Sequence, residues 1–177
     1  MTDISARMQK GFSLIECMVA VVVLMVGVVG VAQMIPYSLS TNTSNRTDST
    51  GLIIAQRELE QFLQQPLTSN SYTDANANPC NPCGLGSTAT FNAFVGSPTI
   101  VVNKRTMIDF SQAKAANYNF TYTDPQDPTK TRYDVRWAVA TTGTAGNIMS
   151  RRIVMSVRKK GPGPFILPAT LDVMVSK

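Results

Sequence analysis

The sequence predicts an α+β protein in which a long N-terminal helix, membrane-spanning in its first part, precedes a small antiparallel β-sheet. The apolar stretch 12–35 contains a single charged residue, Glu16, and is typical of a helix in a lipid environment. From residue 91 onward, short segments alternate apolar and polar side chains between turn residues, as antiparallel strands do. A helix followed by a run of strands is an α+β order.

The stretch 12–35 is long enough to cross a bilayer. At ~1.5 Å of rise per residue it forms ~36 Å of helix, against a hydrocarbon core of ~30 Å. The basic residues Arg7 and Lys10 precede it, and no charge follows Glu16 until Arg46. This asymmetry places the N-terminus in the cytoplasm. The apolar run is longer than that of a secretory signal, and no suitable small-residue cleavage site follows it, so we expect the helix to be retained.

Glu16 is the chemically informative residue of this helix. A lone carboxylate in a membrane segment costs on the order of 2.5–3.5 kcal/mol on insertion scales, and it therefore indicates a function and a partner. One alternative is a simple single-pass anchor in which Glu16 extends its carboxylate to the cytoplasmic interface.

Segment 10–16, Lys-Gly-Phe-Ser-Leu-Ile-Glu, resembles the start of proteins of the type IV pilin superfamily, which includes the pseudopilins of type II secretion. The resemblance implies a leader peptide, residues 1–11, and a prepilin peptidase that cuts between Gly11 and Phe12. It implies that the peptidase then methylates the new amine of Phe12. It also implies that Glu16 of one subunit meets the Phe12 amine of a neighbour, because two paired charges are less unfavourable in lipid than one alone.

Three glycines in the first 30 residues have expected roles. Gly11 lacks a Cβ and lets the backbone lie close in the peptidase site. Gly27 and Gly30 permit helices of neighbouring subunits to approach closely. An equal alternative for Gly27 and Gly30 is that a membrane helix simply tolerates glycine.

The helix is predicted to continue after an interruption. Pro36 follows the apolar run, and residues 38–51 are rich in Ser, Thr and Asn, which are weak helix formers. An apolar stripe then recurs at three- and four-residue steps up to Pro66. Its members are Leu52, Ala55, Leu59, Phe62 and Leu63. We therefore predict that residues 36–66 form the second part of one long, interrupted helix, which packs on the sheet.

Residues 67–90 are predicted to form a surface loop, because Asn, Ser, Thr, Pro and Gly dominate there. The loop contains Cys80 and Cys83. In an oxidising compartment they favour a local disulfide. Reduced or intermolecularly bonded cysteines, a metal site and a redox pair are alternatives; the chain has no histidine, and a structural zinc requires four ligands. Cys17 is interpreted as a small packing residue in the helix bundle.

The antiparallel β domain is expected over residues 91–177. Candidate strands lie at 90–95, 99–102, 117–123, 132–142, 148–158 and 165–175. The runs 132–142 and 148–158 are predicted to pair as a central hairpin. In the first of these, Tyr133, Val135, Trp137 and Val139 share one face. Pro168 indicates an edge position or a bulge for the last strand.

A second resemblance covers scattered positions. Segments 55–60, 133–137 and 152–157 look similar to minor pilins of the PilV kind and to I-type pseudopilins. The two loop cysteines differ from the late disulfide loop of many major pilins. Both features favour a minor subunit.

Composition gives little support to catalysis or to nucleic-acid binding. The absence of histidine leaves no ordinary Ser-His-Asp or Cys-His arrangement, and no phosphate-binding Gly-rich loop occurs. The net charge of +5 is spread thinly, so nucleic-acid binding is not favoured. The tight basic groups are 151–152 and 158–160, which we interpret as solvated. A solvated role is also the preferred interpretation for each of the carboxylates Glu58, Glu60, Asp74, Asp109, Asp124, Asp127, Asp134 and Asp172. We expect no cofactor, metal or small-molecule substrate.

Together these features predict a structural minor subunit of a type IV pilus. It would be inserted in the inner membrane with its C-terminal domain in the periplasm, and then be incorporated into the filament or prime its assembly. Its expected partners are other pilin subunits, the prepilin peptidase, the inner-membrane assembly platform and the lipid bilayer. A minor pseudopilin of a type II secretion system is the main alternative, and a single-pass anchored binding module is a remote one.

Overall fold

The computed structural model describes residues 12–72, 83–123, 125, 127–161 and 167–176. It has one long helix followed by antiparallel sheets, which is an α+β, pilin-like architecture. The elements are α1 (Leu14–Leu63), β1 (Ser71–Tyr72), β2 (Cys83–Gly84), β3 (Phe94–Gly96), β4 (Thr99–Val102), β5 (Arg105–Ile108), β6 (Asn119–Thr123), β7 (Arg132–Thr144), β8 (Asn147–Lys160) and β9 (Ala169–Ser176). The chain divides into two compact units, Met1–Thr43 and Ser44–Lys177.

The predicted interruption of the helix is wrong, since α1 is continuous through Pro36. A proline removes one backbone donor, but the polar residues that follow do not compete with the helix. The hydroxyls of Thr41, Thr43 and Thr50 donate to carbonyls one turn earlier, at 3.0, 2.9 and 2.9 Å. These side chains satisfy their own hydrogen bonds within the helical conformation.

The main sheet of the second unit has five strands and is antiparallel throughout. The central strand, β7, pairs with β8 on one side, and β8 pairs with β9. On its other side β7 pairs with β6 along its first half and with β3 further along. The predicted central hairpin is therefore confirmed, with a register shift between Thr142 and Gly143. Pro168 directly precedes β9, an outer strand of this sheet.

The core lies on both faces of this sheet. On one face, the second half of α1 packs against the side chains predicted to share a face of β7; they are Tyr133, Val135, Trp137 and Val139. Trp137 is fully buried, and its ring lies 5.1 Å from that of Phe62. On the other face, Ile108 of β5 packs with Ala138 and Val154. The hairpin of β4 and β5 therefore forms a third layer, and β5 is a strand that the sequence analysis did not predict.

The buried face of α1 is rotated from the predicted stripe. Leu52 and Leu63 are 39% and 37% exposed, whereas Glu58 is 1% exposed. Near the start of this face Gly51 lies against the sheet, where its missing Cβ would be 3.7 Å from Cβ of Ala169. Gly51, Ile54 and Glu58 are buried in addition to Ala55, Leu59 and Phe62 of the predicted stripe.

The predicted surface loop 67–90 is more buried than its composition suggests. β1 and β2 pair inside it, and Tyr72, Cys83 and Leu85 are all buried. The intervening residues 73–82 lie outside the described residues. Tyr72, Cys83 and Leu85 belong to the hydrophobic core that contains Trp137.

Three charged residues that were interpreted as solvated are buried instead: Glu58, Asp134 and Arg151. Asp134 forms an ion pair with Arg136, with Nη2 2.9 Å from Oδ2, below the ring of Phe110. Buried charged groups in proteins are usually paired, and Asp134 follows this rule. The alternation of apolar and polar residues in the sequence does not show such a pair.

Candidate assembly site in the N-terminal helix

The first turn of α1 presents a capped helix start and one carboxylate. Ser13 precedes the helix, and its side-chain oxygen accepts a hydrogen bond from the backbone N–H of Glu16 at 3.4 Å. Its carbonyl accepts from the N–H groups of Glu16 and Cys17, at 3.0 and 3.2 Å. Serine is a preferred N-cap, and a carboxylate in the first turn is favoured by the helix dipole. Glu16 is therefore compatible with the helix start while remaining exposed.

Phe12 lies beside this turn and is 77% exposed. Together, Phe12 and Glu16 present an aromatic residue and a carboxylate within about one turn of backbone. Cleavage before Phe12 would add an α-amine at the same place. The other side of that junction, Gly11, lies outside the described residues.

Residues 12–35 form an apolar surface that is exposed in the part of the chain that the structure describes. Every residue from 12 to 35 is exposed, including the large side chains of Val, Leu, Ile and Met. Within the part of the chain that the structure describes, α1 is the one helix long and apolar enough to cross a membrane. Exposed apolar area is unfavourable in water by ~25 cal/mol per Å². A surface of this extent indicates a lipid or protein partner.

Gly27 and Gly30 lie within this apolar surface. A Cβ added at either would meet no atom of the described residues within 4 Å. Gly27 lies in a shallow face with Leu24, Val28 and Val31. The space beside both glycines is therefore open to another helix or to lipid.

Of the two loop cysteines, only Cys83 is among the described residues. Cys83 is buried and disulfide-bonded. Its expected partner, Cys80, lies outside the described residues, so the pairing stays a prediction. Cys17 is free and exposed. Among the described residues, no group of three or more His, Cys, Asp or Glu is placed to hold a metal ion.

The sequence did not indicate two residues that hold the segment 67–90 in place by hydrogen bonds. The guanidinium of Arg151 donates to the carbonyls of Leu67 and Ser69, in the second case at 2.6 Å. Burial lowers the pKa of Arg151 from its usual value. At the other end, Trp137 Nε1 donates to the carbonyl of Gly84 at 2.8 Å. The signal for Arg151 was its place on the same side of β8 as Ile153, which faces the core.

The comparisons with known proteins bear on the first unit. Residues 6–32 match the family model of the prokaryotic N-terminal methylation motif. Neither a search of curated proteins nor a search of solved structures found a match. The motif covers a small part of the chain and coincides with the exposed start of α1. It supports a place in the type IV pilin-like superfamily.

The motif also defines a class of protein. It indicates a pilin-like or pseudopilin-like substrate of a prepilin peptidase, with a structural role and with other pilins as partners in general. With the apolar helix it supports anchoring in a membrane.

Proposed function

We propose that this protein is a structural minor subunit of a type IV pilus. The observation that carries the proposal is that the methylation motif, residues 6–32, overlaps an apolar helix surface, residues 12–35, whose side chains are exposed in the described part of the chain. In the precursor, residues 1–11 form a leader and residues 12–35 span the inner membrane. Residues 36–66, 67–90 and 91–177 then form the second helical part, the connecting segment and the β domain on the periplasmic side.

Processing creates the partner that Glu16 lacks. The peptidase cuts between Gly11 and Phe12 and methylates the amine of Phe12, which remains cationic. Glu16 of an incoming subunit then pairs with the Phe12 amine of a neighbour. Moving a lone carboxylate into lipid costs on the order of 2.5–3.5 kcal/mol, so pairing fixes the axial register of the two helices.

The apolar helices replace lipid contacts with protein contacts in the filament. Helix association in lipid relies on close packing, which small residues permit. Gly27 and Gly30 have open space beside them, which supports this role. The assembly platform of the inner membrane would extract the subunit and insert it among the others.

A minor pseudopilin of a type II secretion system is the second candidate. The same N-terminal chemistry serves both assemblies, so the motif favours neither. Deleting the gene separates them, because loss of surface filaments with intact secretion supports the pilus, and the reverse supports the pseudopilus.

The test of the mechanism is incorporation of a Glu16→Ala variant. We expect it to be processed and inserted in the membrane but depleted from sheared filaments. Glu60→Ala is the matched control, because Glu60 is an exposed glutamate of the same helix outside the motif. Equal amounts of the Glu16→Ala and Glu60→Ala subunits in filaments would remove Glu16 from the assembly mechanism.

A further inference from the structure

One end of the main sheet collects basic side chains. At this end β7 begins and β8 finishes, and Arg132 lies directly opposite Lys160 in the register. The next pair places Lys159 opposite Tyr133, and Lys130 occupies the turn just before β7. Like charges that face each other across two strands destabilise a sheet. An anionic partner would offset the repulsion between the basic side chains at this end.

Residues 47–51 of α1 lie at the same end of the sheet. Thr47 and Gly51 line a small cavity together with Lys159 and Leu167. Further along α1, Phe62 packs on Trp137, in the middle of β7. Following α1 back towards its N-terminus therefore leads to the basic end of the sheet.

An exposed apolar side chain lies beside the charges. Leu167 is 75% exposed, next to Lys159 in that cavity lining. Arg46, one residue before Thr47, is also exposed. We call the set Arg46, Lys130, Arg132, Lys159, Lys160 and Leu167 the basic end.

The described carboxylates at the basic end do not neutralise it. They are those of Asp48 and Asp127. Asp127 accepts hydrogen bonds from the backbone N–H and hydroxyl of Thr129, at 2.9 and 2.7 Å, so its carboxylate is engaged within its own turn. Five cationic side chains thus face two carboxylates.

Chain connectivity keeps this end within reach of a bilayer. Ile35, the last residue of the apolar stretch 12–35, and Thr47 are twelve residues apart in the sequence. Even a fully extended chain of twelve residues spans no more than about 43 Å. The basic end of an inserted subunit is therefore tethered near the headgroups of the membrane that holds residues 12–35.

We propose that the basic end binds the anionic phospholipid headgroups of the membrane that holds the helix. The basic side chains contact the phosphates, and Leu167 enters the interface. This contact holds the second unit against the bilayer until the subunit joins a filament. The proposal rests on the membrane insertion in the proposed function. Each Lys or Arg near an anionic surface raises the binding constant about fivefold.

The test uses the mature chain in nanodiscs that contain either phosphatidylglycerol or only phosphatidylcholine. A spin label is attached at Leu167→Cys in a Cys17→Ser background, and nickel-chelating lipids report its distance from the headgroups. A label at Met149→Cys, an exposed position near the β7–β8 turn at the other end of the hairpin, is the control. We expect stronger relaxation of the Leu167→Cys label in phosphatidylglycerol discs, and no such difference at Met149→Cys.

Charge removal and salt complete the test. The triple variant R132Q/K159Q/K160Q and 0.5 M salt (about a threefold shorter Debye length than at 0.05 M) should each abolish the difference between the two lipids. Equal relaxation in both lipids, or a difference that survives the triple variant, overturns the proposal. A crosslink from the basic end to a membrane protein in cells, with no lipid dependence in discs, assigns the site to that protein instead.

Resistance of the chain to alkaline extraction is measured first. If the chain is extracted, membrane insertion itself is wrong and the proposed function fails. If the chain is inserted but shows no lipid dependence, only this inference fails. Circular dichroism of the triple variant confirms that the sheet is intact.

Discussion

Substituting Gly84 by alanine should destabilise the second unit strongly. A Cβ at this position would lie 2.4 Å from Cζ of the Tyr118 ring, well inside van der Waals contact. The carbonyl of Gly84 accepts the hydrogen bond from Trp137 Nε1, and its N–H donates to the carbonyl of Asn117 at 2.7 Å, so the backbone is held on both sides. Either the ring or the backbone must move.

The size of the effect follows from these two contacts. Overpacking in a well-packed core costs ~1–3 kcal/mol. A weakened buried hydrogen bond to Trp137 adds ~0.5–1.5 kcal/mol. We expect the free energy of unfolding to fall by ~2–4 kcal/mol. Urea unfolding of the mature chain in micelles, followed by the fluorescence of the single, buried Trp137, measures it.

Gly51→Ala is the matched control, with the opposite sign. Its Cβ would meet Cβ of Ala169 at 3.7 Å and Cγ1 of Val157 at 3.8 Å, which are ordinary contacts. Alanine is favoured over glycine in a helix by roughly 1 kcal/mol, so this variant should be more stable. Tyr118→Ala should also relieve the clash at Gly84, making the double variant less destabilised than the sum of the two single variants. A neutral Gly84→Ala, or strictly additive effects with Tyr118→Ala, would refute the packing described here.

Three further predictions concern charge and processing. Asp134→Ala leaves Arg136 buried without its carboxylate and should lower the free energy of unfolding by about 3 kcal/mol; an unchanged urea midpoint would contradict the buried ion pair. Hydrogen bonds, chiefly from Thr131, hold the pKa of Asp127 below its usual range, so the stability it contributes is present above pH ~4 and lost as the pH falls further. The difference in stability between wild type and Asp127→Ala should therefore shrink in acid, and a difference that grows there would be evidence against this linkage. Gly11→Leu should accumulate as an uncut precursor, visible as a slower band on a gel, whereas normal processing would exclude a role for Gly11 at the cleavage junction.

The strands that alternation predicts well are those with one clearly apolar face. β7 and β8 were predicted within two residues at each end, because Tyr133 and Trp137 alternate with smaller or polar residues. β5 was missed because Arg105-Thr106-Met107-Ile108 buries only Ile108 and has no strict alternation. Its strand conformation comes from pairing with β4, a contact that the local sequence does not show.

The helix shows a different limit of sequence reasoning. The three- and four-residue spacing predicted a single apolar stripe on α1. The structure buries Ala55, Leu59 and Phe62 of that stripe, but it leaves Leu52 and Leu63 exposed and buries Glu58. Contacts with the sheet decide which side of α1 is buried, and the local spacing does not show those contacts. Pro36 was likewise expected to interrupt the helix, but a single missing donor did not end it.

The candidate site at the N-terminus, in contrast, could be predicted from the sequence, because the residues that define it are close together in the chain. A lysine, a glycine, a phenylalanine and a glutamate follow one another within segment 10–16, and the matched motif spans residues 6–32. The charges of the basic end come from α1, β7, β8 and the turn before β7, and only the fold brings them together.

The central claim is that processing creates the amine that pairs with Glu16. Mass spectrometry of the intact protein from membranes and from sheared filaments tests this most directly. We expect a chain that begins at Phe12 and carries one added methyl group in both fractions. A chain that retains residues 1–11, or one cut after the apolar stretch 12–35, would contradict it.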